Sequence, residues 1–125
     1  MFDWRRPANL GVTNGRFAAC RRSPNCVSSQ ADPADAEHYI APLQTTMAAV
    51  RSAVASLPRT TIVLEKPDYL YAEFRSKLLG YVDDVEFFQD GAVIHVRSAS
   101  RLGRRDFGVN RKRVEDLRGL LTRQP

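Results

Sequence analysis

Between Arg97 and Arg113 seven cationic side chains, Arg97, Arg101, Arg104, Arg105, Arg111, Lys112 and Arg113, stand against one acid, Asp106. Asn110 is a good N-cap residue, so a final helix is expected to start there, carried by Val114, Leu117, Leu120 and Leu121 at spacings of three and four. Cations in a first helical turn oppose the macrodipole, at about 0.3 to 1 kcal/mol each. A bound anion would reverse that sign. The expected anion site comprises Arg101, Arg111, Arg113, Ser98, Ser100 and Asn110, with Gly103 and Gly108 letting backbone come close. The plainer reading is a structural network in which Asp83, Asp84 and Asp106 answer the arginines, Arg97 being satisfied from within. Partner readings are then a small anion or an acidic protein surface. Single-stranded nucleic acid would need aromatic rings interleaved with the charge, and this stretch offers only Phe107, which argues against it.

A second cluster is SPNCVSS, Ser23 to Ser29, with Cys20 shortly before Cys26. The pair suits a small disulfide ring in an oxidising compartment and two free thiols in a reducing one, and spacing does not choose. His38 is the only other ligand type nearby, too few for a metal, so none is expected. A nucleophilic Cys26 or Ser28 would need a base, and His38 and His95 are the only histidines. No nucleophile-elbow pattern surrounds them. A hydrolase-like site here would require Cys26 or Ser28 within reach of a histidine or carboxylate in a pocket, and it fails if the cysteines are bonded and the serines face backbone. A third candidate pairs Glu86 with His95 across two strands, the beginning of an acid-base pair and more commonly a cross-strand ion pair. Phosphate-loop and dinucleotide fingerprints are absent, so no cofactor is expected.

The elements that must position these residues are legible. Residues 1–39 are punctuated by Pro7, Gly11, Gly15, Pro24 and Pro33 and read as an irregular arm, apolar enough at Phe2, Trp4 and Phe17 to lie partly on the body or to form an interaction patch. Residues 40–125 read as the α+β part of a single domain. Ile40, Leu43, Met47, Val50, Val54 and Leu57 mark a helix. Four strands follow, Thr60 to Lys66, Tyr69 to Ser76, Tyr81 to Gln89 and Ala92 to Ser98, giving a four-stranded antiparallel meander with the N- and C-terminal helices on one face. With Asp90-Gly91 as a hairpin loop, Asp84 faces Arg97 and Glu86 faces His95. Val85, Phe87, Ile94 and Val96 then point to the helices, and the other face is expected to be wet.

The totals bound this reading. A chain of 125 residues with 26% charged and 43% hydrophobic residues is ordinary globular protein. A net charge of +5 permits anionic partners without requiring them. No apolar run approaches a membrane span, and MFDWRRPANLGV lacks the core of a secretory signal, so the sequence as written is expected in the cytoplasm.

The segments GVTNGRFAAC, SPNCVSSQAD, YLYAEFRS, GYVDDVEFF, IHVRSASRLG and DFGVNRKRVEDLR, spread over residues 10 to 122, resemble the family catalogued as domain of unknown function 1499, small bacterial and plastid proteins. The resemblance implies a similar fold and brings no reaction, substrate or catalytic residue. Some members carry export signals or membrane anchors, which implies the cell envelope as an alternative location. This chain departs in lacking both, and in the extra charge of Arg21-Arg22 and Arg104-Arg105. The reading is therefore a small globular domain with an arginine-rich corner that binds an anion or acidic partner, with a hydrolase using SPNCVSS and a purely structural module as alternatives.

Overall fold

The computed structural model describes residues 5–103 and 105–123. In chain order it contains β1 (Cys26–Ser28), α1 (Met47–Ala55), β2 (Thr60–Lys66), β3 (Tyr69–Arg75), β4 (Val82–Asp90), β5 (Val93–Ser100) and α2 (Val109–Thr122). It is an α+β fold, but the antiparallel sheet has five strands in the order β1-β5-β4-β3-β2, not four. The extra strand comes from SPNCVSS: Cys26, Val27 and Ser28 pair with Ala99, Ser98 and Arg97. Three residues are too few to show an alternating pattern, which is why the strand is silent in the sequence.

The first helix is shorter than expected. Thr46 caps it, its hydroxyl accepting from the Ala49 amide at 3.2 Å. Leu43, expected within it, instead exchanges two 2.8 Å backbone hydrogen bonds with Ile94 at the same sheet edge that β1 occupies. Ile40 and Leu43 are nevertheless buried with the helical residues Met47, Val50 and Val54, so their apolar spacing marks the core rather than helix length. Leu70, Phe87, Ile94, Val96 and Leu117 complete that core. Full burial of such a side chain stabilises by about 1.5 to 3 kcal/mol.

The β4–β5 turn is also displaced. Asp90 pairs with Val93, so Gly91 and Ala92 form the loop, and Gly91 takes φ 60°. Glycine at the first loop position is what a tight hairpin with left-handed backbone there needs. The loop moves by one residue and the pairing by two, which preserves the faces and changes the partners. Glu86 lies opposite Arg97, Asp84 opposite Ala99, and His95 opposite Phe88. The expected pairs Asp84–Arg97 and Glu86–His95 are therefore replaced.

The face expected to be wet is covered. Residues of the N-terminal segment lie over it, and Phe17 packs with Tyr69 and Tyr71 in a second small core flanked by Leu10, Val12, Val63 and Phe88. Glu73, Asp84, Glu86 and Arg97 are buried beneath that layer. Phe17 is thus not an exposed interaction patch, and Phe2 and Trp4 lie outside the described residues. No helix among the described residues is long and apolar enough to cross a membrane.

Candidate functional site

The cationic stretch divides over three places. On the covered face, Arg101 forks onto Asp84, with Nε to Oδ2 and Nη2 to Oδ1 both 2.9 Å, and Nη2 also reaches Glu73 Oε2 at 2.6 Å. Glu73 Oε2 accepts a further hydrogen bond from Arg6 Nε at 2.9 Å. The Tyr71 hydroxyl donates to Asp84 and lies 3.0 Å from Glu73 Oε2. Burial works against the Glu73 charge, yet the hydrogen bonds from Arg6, Tyr71 and Arg101 prevail and hold its carboxyl below the ordinary value. Arg101 is raised, first by its hydrogen bond to Asp84, and Tyr71 is raised by burial and then by Asp84.

Beside this network, Arg97 Nε donates to the Ala18 carbonyl at 2.8 Å, and its closest carboxylate is Glu86 Oε1, 3.9 Å from Nη1. Glu86 Oε2 accepts from the Gly11 amide at 2.7 Å and from Tyr69 Oη at 2.6 Å, whereas Oε1 is buried without a hydrogen bond. Burial pushes Glu86 up and Arg97 down; the nearby Arg21 charge pulls Arg97 the same way, against Glu86 and Asp84.

On the helix side, Ser98, Ser100, Asn110 and Arg113 do meet, but they close on one another. Ser98 Oγ donates to Asn110 Oδ1 at 2.6 Å, and Asn110 Nδ2 faces Ser100 Oγ at 2.8 Å, Asp106 Oδ2 at 2.7 Å and the Asn25 carbonyl at 3.1 Å. Arg113 Nη1 bonds Asn110 Oδ1 at 3.1 Å and Asp83 Oδ2 at 2.7 Å, with its guanidinium 4.9 Å from the Phe74 ring centroid. Ser98 and Asn110 have no exposed surface. The N-cap of α2 is Gly108, at φ 80°, not Asn110. The anion at the helix start is the protein's own: Asp106 accepts from the amides of Gly108 and Asn110 at 2.8 and 3.1 Å. Asp106 was expected to pair with arginine; among the described residues it serves backbone and Asn110 instead. Arg111 lies elsewhere, its Nη2 on the Ala36 and Glu37 carbonyls at 3.2 and 3.3 Å, and Arg104 lies outside the described residues. The six residues expected to form one anion site are therefore not assembled around one opening.

A different opening is. Between the N-terminal segment, the residues before β1 and the C-terminal end of β5 lies a cleft of about 680 Å³. Its walls carry Arg5, Arg6, Arg21, Arg97 and Arg101, and among the described residues Asp84 is the only acid lining it. Sequence reasoning missed Arg5 and Arg6, because only the covering of the sheet brings them here. It passed over Arg21 as idiosyncratic charge.

The arm wall is tied down by polar contacts. Cys20 and Cys26 are joined by a disulfide, so Cys26 offers no thiol nucleophile. Asn25 Nδ2 donates to the Gly103 carbonyl at 2.7 Å, and the Ser100 amide donates to the Asn25 carbonyl at 3.0 Å. His38 places Nδ1 2.8 Å from Asp35 Oδ2 and Nε2 3.0 Å from the Ser23 carbonyl. Both partners are acceptors, so the geometry suits the imidazolium. Burial opposes that charge, but the Asp35 and Ser23 hydrogen bonds raise His38 above its ordinary value, and the same contact lowers Asp35.

The remaining acid-base candidates are dispersed. Ser28 Oγ accepts from the Gln30 amide at 3.1 Å, a local turn contact. His95 is drawn to Ser29, with Nδ1 2.8 Å from Oγ, and its Nε2 lies 3.7 Å from Asp90 Oδ2. This serine-histidine-aspartate sequence of contacts was not anticipated from the chain. Ser29 Oγ is buried and accepts from the Val96 amide at 2.9 Å, so it completes the sheet edge instead of facing the cleft. Among the described residues no three His, Cys, Asp or Glu side chains gather in a way that could hold a metal.

These features define a class: a five-stranded α+β domain whose N-terminal segment adds an edge strand, covers one sheet face and walls a basic cleft. Residues 16–121 match the family described as "Protein of unknown function (DUF1499)", and the chain belongs to that family. The match begins at Arg16 and takes in SPNCVSS and the basic stretch. No curated protein and no solved structure matches the chain.

Proposed function

We propose that the protein is a binding domain, without chemistry of its own, that takes a small anionic ligand such as a phosphate ester or polycarboxylate in the cleft between the N-terminal segment and the end of β5. The observation that carries this is the charge of the lining, five arginines around one acid. Glu73 and Asp84 answer Arg6 and Arg101, and Glu86 answers Arg97 at a distance. Arg21 is exposed and has no ion pair among the described residues. A ligand anion would add an acceptor for Arg21, and guanidinium pairs suit phosphate and carboxylate oxygens by geometry as well as charge.

The test is calorimetric titration of the full chain with inorganic phosphate, nucleotides and citrate, alongside Arg21→Ala. Arg21 is exposed, so its loss should leave folding intact. A charged hydrogen bond contributes about 1.5 to 3 kcal/mol, so affinity for the bound anion should fall about tenfold or more in the variant. Absence of binding by every anion, or equal binding by the variant, would remove the proposal.

A further inference from the structure

The end of the sheet where β5 runs into α2 carries a second unassigned surface. The β3–β4 turn exposes Leu78 at 89% and Leu79 at 61% of their surface, with Tyr81 half exposed beside them. The loop before α2 exposes Phe107 at 92%, and Val109 opens the helix half exposed. The two turns leave the same end of the sheet: Arg75 pairs with Val82, and the Arg101 amide donates to the Val82 carbonyl at 3.3 Å. Arg75 and Val109 line one shallow depression there.

Isolated apolar side chains on a surface need no explanation, but these stand on adjoining turns, whereas Leu64 is the one other large apolar side chain exposed among the described residues. The charge around them that lacks an ion-pair partner among the described residues has one sign. Arg75, Lys77 and Arg105 are exposed, and none has a carboxylate partner among the described residues. The acids at this end are occupied: Asp83 by Arg113, Asp106 by the Gly108 and Asn110 amides, Asp116 by Lys112 at 2.7 Å. No acid occurs between Arg75 and Val82.

We propose that this end of the domain docks on an anionic lipid bilayer, Leu78, Leu79 and Phe107 entering the interface while Arg75, Lys77 and Arg105 meet the headgroups. Apolar groups held on turn tips, ringed by unpaired cations, match the two contributions to peripheral binding, buried apolar area and attraction to anionic lipid. A protein partner of the same affinity would need a groove shaped to two separate turns, whereas a bilayer accommodates projecting side chains without one. None of the residues named for this surface lines the arginine-rich cleft, and the proposal does not depend on that cleft.

The experiment is cosedimentation of the full chain with vesicles of phosphatidylglycerol mixed into phosphatidylcholine, against phosphatidylcholine alone. The comparison variant combines Leu78→Ser, Leu79→Ser and Phe107→Asn; asparagine tolerates the left-handed backbone at that position, φ 53°. The wild type should bind the anionic vesicles and lose binding as salt rises. The variant, with unchanged circular dichroism and melting temperature, should bind at least about tenfold more weakly. Failure of the wild type to bind anionic vesicles, equal binding to neutral ones, or undiminished binding by the variant overturns the proposal. So does self-association of the wild type that the variant abolishes without any vesicle binding, since the patch would then join copies of the chain.

Discussion

Arg101 and Asp84 meet side by side, two parallel hydrogen bonds of 2.9 Å joining the guanidinium fork to both carboxylate oxygens beneath the N-terminal segment. Both side chains are almost fully buried. Removing the arginine leaves Asp84 buried without an ion pair among the described residues and Glu73 with Arg6 alone. Arg101→Ala should therefore destabilise the protein by about 3 to 5 kcal/mol. Arg101→Lys should recover only part of this, because an ammonium keeps the charge and loses the fork. Urea unfolding of the three proteins measures it, and a loss below about 1 kcal/mol for alanine would contradict the account.

Asn110 joins β5, β1's approach and α2 through one amide. Its oxygen accepts from Ser98 and Arg113, and its nitrogen donates towards Asn25, Ser100 and Asp106. Asn110→Ala should cost about 1 to 3 kcal/mol for each group left buried and unpaired. Asn110→Asp should be no milder, since a carboxylate cannot donate and would sit against Asp106. Guanidinium melts of both variants give the comparison.

His38 sets a pH dependence with a definite sign. Its folded pKa is raised, so the stability it contributes is complete below its unfolded value, about 6.5, and disappears as pH rises through the folded value. Glu73 works oppositely: its folded pKa is lowered, so its contribution is present above the ordinary carboxylate range and lost as pH falls through the folded value. Melting temperature in the wild type should decline as pH rises from about 6.5 through the folded value of His38. His38→Gln should flatten that limb and leave the acid limb in place; an unchanged alkaline limb would show that His38 is not its source.

The disulfide closes a small ring, which on loop-entropy grounds stabilises by about 2 kcal/mol. Cys20→Ser with Cys26→Ser should lose roughly that amount in urea melts. The ring also carries Arg21 into the cleft wall. Reduction by dithiothreitol should weaken anion binding in the wild type and change nothing in the double variant.

The meander of β2 to β5, the two helices in outline and the two faces of β4 and β5 were legible because alternation and three-four spacing report burial directly; the edge strand β1 and the later start of α1 were not. Counting from Asp90-Gly91 put Arg97 opposite the wrong acid, because a loop placed one residue off moves the pairing by two, which leaves every face intact and so gives no internal warning. The cleft was not legible. Arg21 and Arg101 are brought together by β1 pairing with β5, and neither a three-residue strand nor an irregular covering segment has a period to read. The helix-start anion was a sound physical demand, but Asp106, four residues ahead of Asn110, already meets it.

The addition of β1 to β5 also orders the assembly of the molecule. Contacts such as Asn25 to Gly103 span 78 residues, whereas the meander from β2 to β5 forms between neighbours in the chain. Loop closure disfavours the distant contacts until the local ones are in place, so the N-terminal segment is expected to join last. The Cys20–Cys26 crosslink lies wholly within that segment and does not shorten the search. The cleft is consequently completed only when that segment docks, and a chain that has built the meander and both helices still lacks one of its walls as well as the contribution of Val27 to the core.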